Sequence, residues 1–220
     1  MTDYRVWRTI LKLDPARSLS DERMEEVFSW PVDALVVGGS GGYGSSEVAA
    51  LLARLRRCSL PVAQEVSALD ALCPGFDLYF VPMVLNSGEV DWIVGHQQAA
   101  LKRMGSLVDR QTVVGEGYLI LNPGAAAARI SKARADLDSD DVVAFARLAQ
   151  GLLGLPIFYL EYSGTYGSPE VVRAAGAVLG DTLLWYGGGI RSLEQAREMA
   201  AVADAIVIGN SIYEGYSPFG

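Results

Sequence analysis

The side chains best suited to chemistry sit at the ends of apolar runs. Lys12 and Asp14 close the run Ile10-Leu11-Lys12-Leu13-Asp14. Side chains two apart share one face of a strand, so an ammonium group able to hold an anion would stand beside a carboxylate able to hold a metal. Pro15 ends the strand at that point and places the pair at its mouth. A salt-bridged surface pair is the plainer reading of the same two residues, and such pairs stabilise little. Further along, Tyr159, Glu161 and Ser163 alternate with Phe158, Leu160 and Tyr162. A glutamate between an aromatic and a small hydroxyl is a costly core residue unless it has partners. Substrate hydroxyls would supply them, since a carboxylate next to a reacting oxygen can orient it or accept its proton. A structural pair with Lys12 or Arg191 is the alternative.

Three glycine-bearing segments add a possible anion cradle: Ser163-Gly164, Gly187-Gly188-Gly189 and Gly209-Asn210-Ser211. Each follows directly on an apolar run that reads as a strand. Glycine lets backbone N–H groups approach an anion closely, and phosphate is commonly held this way after the last strands of an α/β barrel. Any one of these glycines alone reads as a turn; three on consecutive strand ends point to phosphate. Ser40, inside Gly38-Gly39-Ser40-Gly41-Gly42, offers a hydroxyl to a magnesium shell or a diphosphate. That loop taken by itself reads equally well as a flexible turn.

Such groups need a frame that brings strand ends together. Eight nearly continuous apolar runs, at residues 7–13, 34–39, 62–67, 77–85, 112–122, 157–163, 182–188 and 205–209, read as strands covered on both faces. Helix patterns lie between them at 20–30, 45–58, 89–104, 139–153, 168–179 and 192–201, several opening on serine followed by acids. The alternation predicts a parallel α/β sheet, and eight strands predict a closed (β/α)8 TIM barrel. Residues 68–75 are too short for a full helix and contain Pro74-Gly75, so the third helix is expected to be short or missing. Only residues 211–220 follow the eighth strand, which predicts a truncated C-terminal helix. At 220 residues the chain is expected to form one domain over 1–220. In helix 89–104 most apolar residues read as core, but Ala99-Ala100 with Met104 and the adjoining strand could floor an apolar groove.

Bulk properties exclude several classes. With 18 basic against 26 acidic residues the net charge is −8, which repels polyanions and argues against nucleic acid. No apolar run approaches the ~20 residues that span a bilayer. Asp3, Arg5, Arg8 and Lys12 make the start unlike a signal peptide, so a cytoplasmic location is expected. Cys58 and Cys73 lack metal spacing and read as reduced structural thiols. His96, the single histidine, has no triad partner in its setting and reads as structural.

Taken together, several motifs resemble the geranylgeranylglyceryl phosphate synthase family, in particular its bacterial heptaprenylglyceryl phosphate synthase branch. They are Trp7-x-x-x-Leu11-Lys12-Leu13-Asp14-Pro15, Val36-Val37-Gly38-Gly39-Ser40, Pro74-Gly75-Phe76-Asp77-Leu78-Tyr79-Phe80, Leu85-Asn86-Ser87, Asp91-Trp92-Ile93-Val94-Gly95, Glu116-Gly117-Tyr118, Leu121-Asn122-Pro123, Tyr159-Leu160-Glu161-Tyr162-Ser163-Gly164, Tyr186-Gly187-Gly188-Gly189-Ile190 and Gly209-Asn210. The resemblance runs from about Trp7 to Glu214. It implies a Mg²⁺-dependent prenyltransferase of ether lipid synthesis. The 3-hydroxyl of sn-glycerol 1-phosphate would attack the first carbon of a long prenyl diphosphate, heptaprenyl by the branch, and diphosphate would leave. Lys12 would contact glycerol phosphate, and Asp14 and Ser40 would hold magnesium. Tyr159, Leu160, Glu161, Tyr162, Ser163 and Gly164 would surround the glycerol. Gly188, Gly189, Gly209 and Asn210 would grip its phosphate. Glu161 with Lys12 would serve catalysis, and Ala100 with Met104 would set the depth of the prenyl groove. The branch also implies a homodimer. Gly41-Gly42 departs from the family's more acidic loop.

Three rivals stay open at this stage. A related prenyltransferase with 3-phosphoglycerate as acceptor would need an extra cation near Glu161. A phosphate-handling isomerase or aldolase would want a Schiff-base lysine or an acid–base pair. A non-catalytic binder of phosphate or isoprenoid would keep the cradle without turnover.

Overall fold

The computed structural model describes residues 2–105 and 107–219. The 1–220 span expected as one domain therefore includes Met1, Ser106 and Gly220, which lie outside the described residues. The strands are β1 (Thr9–Leu13), β2 (Ala34–Val37), β3 (Val62–Glu65), β4 (Leu78–Val84), β5 (Val113–Ile120), β6 (Ile157–Glu161), β7 (Leu183–Gly187) and β8 (Ala205–Ile208). They pair in parallel, each with the next in sequence, and β8 closes on β1. The eight expected runs are the eight strands; β1 ends where its run ends, at Leu13, and the other seven end one or two residues short of theirs.

The period-two alternation sorts the strand residues into two layers. Leu11, Leu13, Leu35, Phe158, Leu160 and Ile208 face outward into the layer beneath the helices. Ile10, Ala34, Val36, Ala63, Phe80, Tyr159, Trp185 and Val207 face the barrel interior. Tyr4, in a 3₁₀ turn, and Trp7 close the N-terminal end of the barrel, where both rings sit 6.0 Å from Phe80. Phe80 stands 5.1 Å from Trp185, Trp185 6.5 Å from Tyr159, and Tyr159 4.7 Å from Tyr118. This column of edge-on rings fills the lower barrel and carries the upper, polar layer.

Helices α1 (Asp21–Phe28), α2 (Ser45–Leu55), α3 (Gly95–Met104), α4 (Ala126–Ser131), α5 (Ser139–Arg147), α6 (Pro169–Gly176), α7 (Leu193–Ala200) and α8 (Asn210–Glu214) complete the fold. Ser20, Ser168 and Ser192 accept N–H bonds at the starts of α1, α6 and α7, as their sequence positions predict. The segment after β3 is a single 3₁₀ turn, Leu69–Ala71, pinned where the Gln64 amide donates to the Ala71 carbonyl and accepts from Cys73 N. Helix 89–104 is broken: Val90–Trp92 is a 3₁₀ turn and α3 starts at Gly95, where a Cβ would strike Asp91. α4 was not expected, because six residues, half of them alanine, carry no readable period. α8 is short, as expected, and the tail beyond it does the covering instead: Phe219 packs on Trp30 at 5.5 Å, and Arg23 donates to the carbonyls of Ile212 and Tyr216. No helix among the described residues is long and apolar enough to cross a membrane. Both cysteines are free.

Two glycines test this packing in opposite directions. A Cβ on Gly187 would overlap the Tyr159 ring inside the barrel, whereas one on Gly151, in the π-helical turn Leu148–Leu152 that follows α5, would meet nothing. Gly187→Ala is expected to cost about 1–3 kcal/mol by overpacking. Gly151→Ala is expected to add ~0.5–1 kcal/mol by restricting the unfolded chain. Urea denaturation of both variants measures the two shifts.

Candidate active site

The C-terminal ends of the strands surround one cavity of about 390 Å³. Its polar half is lined by Lys12, Asp14, Ser40, Tyr159, Glu161, Ser163 and Gly164, with Gly188, Gly189, Gly209 and Asn210 from the last two strand ends. Eleven residues expected from sequence thus meet around a single space. Its apolar half is formed by Pro82 and Val84 from β4, Trp92, Ile120 and the α4 segment with Ala125, Ala127 and Ile130.

Four expected site residues lie elsewhere. Leu160 and Tyr162 occupy the outward phase of β6 and its continuation: Leu160 is fully buried beneath the helices, and Tyr162 packs on Tyr186 at 5.8 Å. The alternation that turns Glu161 inward turns its neighbours out, so the whole stretch 159–164 cannot face one ligand. Ala100 and Met104, one helical turn apart, form the buried face of α3 against the outer barrel wall, and neither lines the cavity. The apolar wall there comes from Trp92 and α4 instead.

The polar layer is held by charges that sequence spacing did not pair. Lys12 Nζ donates to Glu65 Oε2 at 2.8 Å and to the Tyr118 hydroxyl at 3.1 Å. The side chains of this ion pair are 15% and 7% exposed. Burial alone would lower the Lys12 pKa; the charges of Glu65, Glu161 and Glu116, with the hydrogen bond to Glu65, outweigh it and hold Lys12 above an ordinary lysine. Tyr118 donates to Glu161 Oε2 at 2.7 Å, while Ser163 donates both its N–H and its hydroxyl to Glu161 Oε1. Glu161 is therefore paired with neither Lys12 nor Arg191, and Arg191 faces Glu214 at 3.3 Å. Burial, then the charge of Glu161, pushes the Tyr118 hydroxyl well above its usual range, so it stays a proton donor. Beneath them Glu116 is 1% exposed with Oε2 lacking a partner. Burial, then the charge of Glu65, pushes it well above the carboxylate range despite Lys12. Glu65 was overlooked, although an acid two residues after Ala63 in an inward phase was the available signal. Glu116 and Tyr118 carry a sequence signal only within the motif Glu116-Gly117-Tyr118.

Close backbone packing shapes the anion corner. Ser163 has φ 39°, a left-handed value that a non-glycine residue adopts only when held, and Asn122 Nδ2 holds its carbonyl at 3.1 Å. Gly188 and Gly189 have positive φ, and a Cβ on either would strike residues 162–166. Glycine is required there by the neighbouring loop as well as by any anion. Gly209 has no such conflict. Arg17, also overlooked, lines the cavity beside Asn210, to which it donates at 3.1 Å, and lies over the Tyr213 ring at 3.9 Å. Tyr213, pushed up to about 12 by burial, accepts from Asp14 N at 2.7 Å and ties α8 to the end of β1. His96 packs edge-on against Trp92 at 4.8 Å and does not line the cavity.

The donor set offered to a cation is small. The Asp14 carboxylate lies against Gly39, where a Cβ would overlap it, with Ser40 next in the chain. Among the described residues no group of three or more His, Cys, Asp or Glu forms a protein-only cage. One carboxylate and one hydroxyl on an open cavity fit magnesium, which keeps several waters and shares its remaining positions with substrate phosphates.

A family model described as the PcrB family matches residues 2–217. A heptaprenylglyceryl phosphate synthase from Geobacillus kaustophilus is 49% identical over 98% of this chain and 90% of that protein. One from Bacillus cereus is 48% identical over 97% of this chain and 93% of that protein. Among solved structures, (S)-3-O-geranylgeranylglyceryl phosphate synthase from Thermoplasma acidophilum in complex with its substrate sn-glycerol-1-phosphate aligns at a TM-score of 0.82 and 27% identity, over 93% of this chain and 85% of that one.

The buried charges predict a pH-dependent contrast. An acid whose pKa is raised on folding binds its proton more tightly in the folded state, so Glu116 erodes stability as pH rises above 4.5, its unperturbed value. Glu116→Gln removes that loss. The variant is expected to match the parent near pH 4 and to exceed it at pH 7.5. Glu65→Gln strands the Lys12 ammonium and is expected to cost about 3 kcal/mol at neutral pH. Chemical denaturation of the three proteins at both pH values checks this.

Proposed function

This chain belongs to the PcrB family, and on that premise we propose that it joins a long prenyl chain, heptaprenyl by its relatives, to the 3-hydroxyl of sn-glycerol 1-phosphate. It is a prenyltransferase that acts on a glycerol phosphate, as its relatives are named. The observation that carries the finer reading is the two-sided cavity. A glycine-lined corner, Gly188-Gly189 and Gly209-Asn210, faces Lys12 and Glu161, and an apolar wall of Pro82, Val84, Trp92 and Ile130 continues from it.

In this reading the phosphate sits on the backbone of the corner, with Lys12 reaching it by the one ammonium proton not given to Glu65 or Tyr118. The glycerol 3-hydroxyl approaches Glu161. Its oxygen forms a bond to C1 of the allylic diphosphate as the C1–O bond to diphosphate breaks. The bonding pair leaves with diphosphate, and the hydroxyl proton passes to Glu161. Asp14 and Ser40 would hold Mg²⁺, which when bound supplies Lewis-acid neutralisation of the leaving group. The protein's own share is positioning: both ends of a small acceptor are gripped within one rigid layer. Glu161 is hydrogen-bonded by Tyr118 and Ser163, and the nearby Lys12 is bonded to Glu65 and Tyr118 rather than to it, so an alcohol suits that position better than the carboxylate of 3-phosphoglycerate.

We further propose that the product enters ether lipid synthesis in the cytoplasm and that the chain works as a homodimer. Apolar side chains left exposed at Val90, Val94, Leu101, Leu152 and Leu153 support the latter. Light scattering is expected to return twice the chain mass; a monomer would reject the dimer.

Incubation with magnesium, sn-glycerol 1-phosphate and prenyl diphosphates of graded length is expected to release diphosphate and form the ether, with activity lost on chelation. Glu161→Gln is expected to lower kcat by roughly 10²-fold or more with KM for glycerol phosphate nearly unchanged. Full turnover in that variant would reject Glu161 as the proton acceptor. Asp14→Asn is expected to remove the magnesium response.

A further inference from the structure

Tyr118 is the buried group that touches both working ends of the site without a role in the scheme above. Its hydroxyl accepts from Lys12 Nζ at 3.1 Å and donates to Glu161 Oε2 at 2.7 Å. The direction of these bonds is dictated by chemistry. An ammonium group has only donors, so the phenol must accept from Lys12, and its single proton is then committed to Glu161. A one-way chain results: Lys12 donates to Glu65 on one side and to Tyr118 on the other, and Tyr118 donates to Glu161.

The same count applies to Glu161. A carboxylate offers about four acceptor sites. Tyr118 fills one on Oε2, and the Ser163 N–H and hydroxyl fill two on Oε1. These three bonds leave one site, on the oxygen that Tyr118 holds, and the Tyr159 hydroxyl is the further protein group that interacts with Glu161. The Tyr118 ring cannot swing away, because it is buried edge-on against Tyr159 at 4.7 Å and lies 5.4 Å from the Lys12 ammonium. β5 and β6 place Tyr118 and Tyr159 in direct register, so the phenol's reach is set by the barrel itself.

We propose that Tyr118 is a positioning residue for the transfer step, holding the free lone pair of Glu161 toward the acceptor hydroxyl and locking that orientation to Lys12 at the phosphate end. This rests on the reading of Glu161 as proton acceptor. The acceptor is thereby measured from phosphate to hydroxyl by one hydrogen-bonded unit, and an acceptor longer or shorter by one carbon loses rate more than binding.

The test uses the full-length enzyme. Tyr118→Phe is expected to lower kcat about 10–100-fold, as misplacement of a reacting group does, while calorimetric affinity for sn-glycerol 1-phosphate stays within ~3-fold. A purely structural role would instead raise KM and lower the melting temperature with kcat intact, and that outcome overturns the proposal. Should Tyr118→Phe not fold, 3,5-difluorotyrosine incorporated at position 118 retains the ring and the hydroxyl while making it a stronger donor to Glu161 and a weaker acceptor from Lys12. It is expected to alter kcat by roughly 3-fold or more in the parent protein and to leave the residual rate of Glu161→Gln unchanged; equal rates with tyrosine and difluorotyrosine in the parent overturn the proposal. If Glu161→Gln is inactive but neither change at 118 moves kcat, the Tyr118 proposal alone fails. If Glu161→Gln keeps full turnover, the proton-acceptor reading fails and takes this inference with it.

Discussion

An ammonium group buried inside a barrel must be matched by negative charge, and most of this protein's upper layer follows from that requirement. Lys12 projects inward from β1 among Glu65, Glu116 and Glu161. Its direct partner is Glu65, two strands away around the barrel. With Glu116 driven toward its protonated form by burial, the layer avoids carrying two carboxylate charges beyond the one that Lys12 neutralises. What remains is a lysine held in place with one donor to spare and a glutamate held by donors with one lone pair to spare. Those two vacancies face one cavity.

The aromatic column beneath turns this charge layer into a rigid one. Trp7, Phe80, Trp185, Tyr159 and Tyr118 step upward from the closed end of the barrel, each ring edge meeting the next. Gly187 leaves space for the Tyr159 ring on the neighbouring strand, so the inward phase of β7 supports β6 where another barrel might seat a side chain. Trp185 Nε1 and Glu116 Oε2 are both left without hydrogen-bond partners in this core. Stability has been given up there for a layer whose geometry is set from below.

Around the mouth, the two halves of the cavity come from different parts of the chain. The polar corner is built by the ends of β6, β7 and β8, tied back to β1 through Tyr213 and Asp14. The apolar wall is built by β4, the turn at Trp92 and α4. Breaking helix 89–104 at Gly95 frees Trp92 to line the cavity, while α3 keeps Ala100 and Met104 for the outer wall. A polar corner and an apolar wall thus meet along one seam.

Much of this was legible in the chain itself. Continuous apolar runs gave away all eight strands, because strands buried on both faces need apolar residues throughout, and the count implied closure. Inward-facing polar residues at the strand ends, Lys12, Asp14, Glu161 and the glycines, followed from period two and from the cost of burying such groups without purpose. Partnership was not legible. That Lys12 pairs with Glu65, that Tyr118 bridges Lys12 to Glu161, and that Leu160, Tyr162, Ala100 and Met104 turn away from the cavity depend on strand register and barrel stagger. Those quantities arise from hydrogen bonding between residues tens of positions apart. Period and composition report which face a residue prefers; only the closed barrel decides which residue stands across from it.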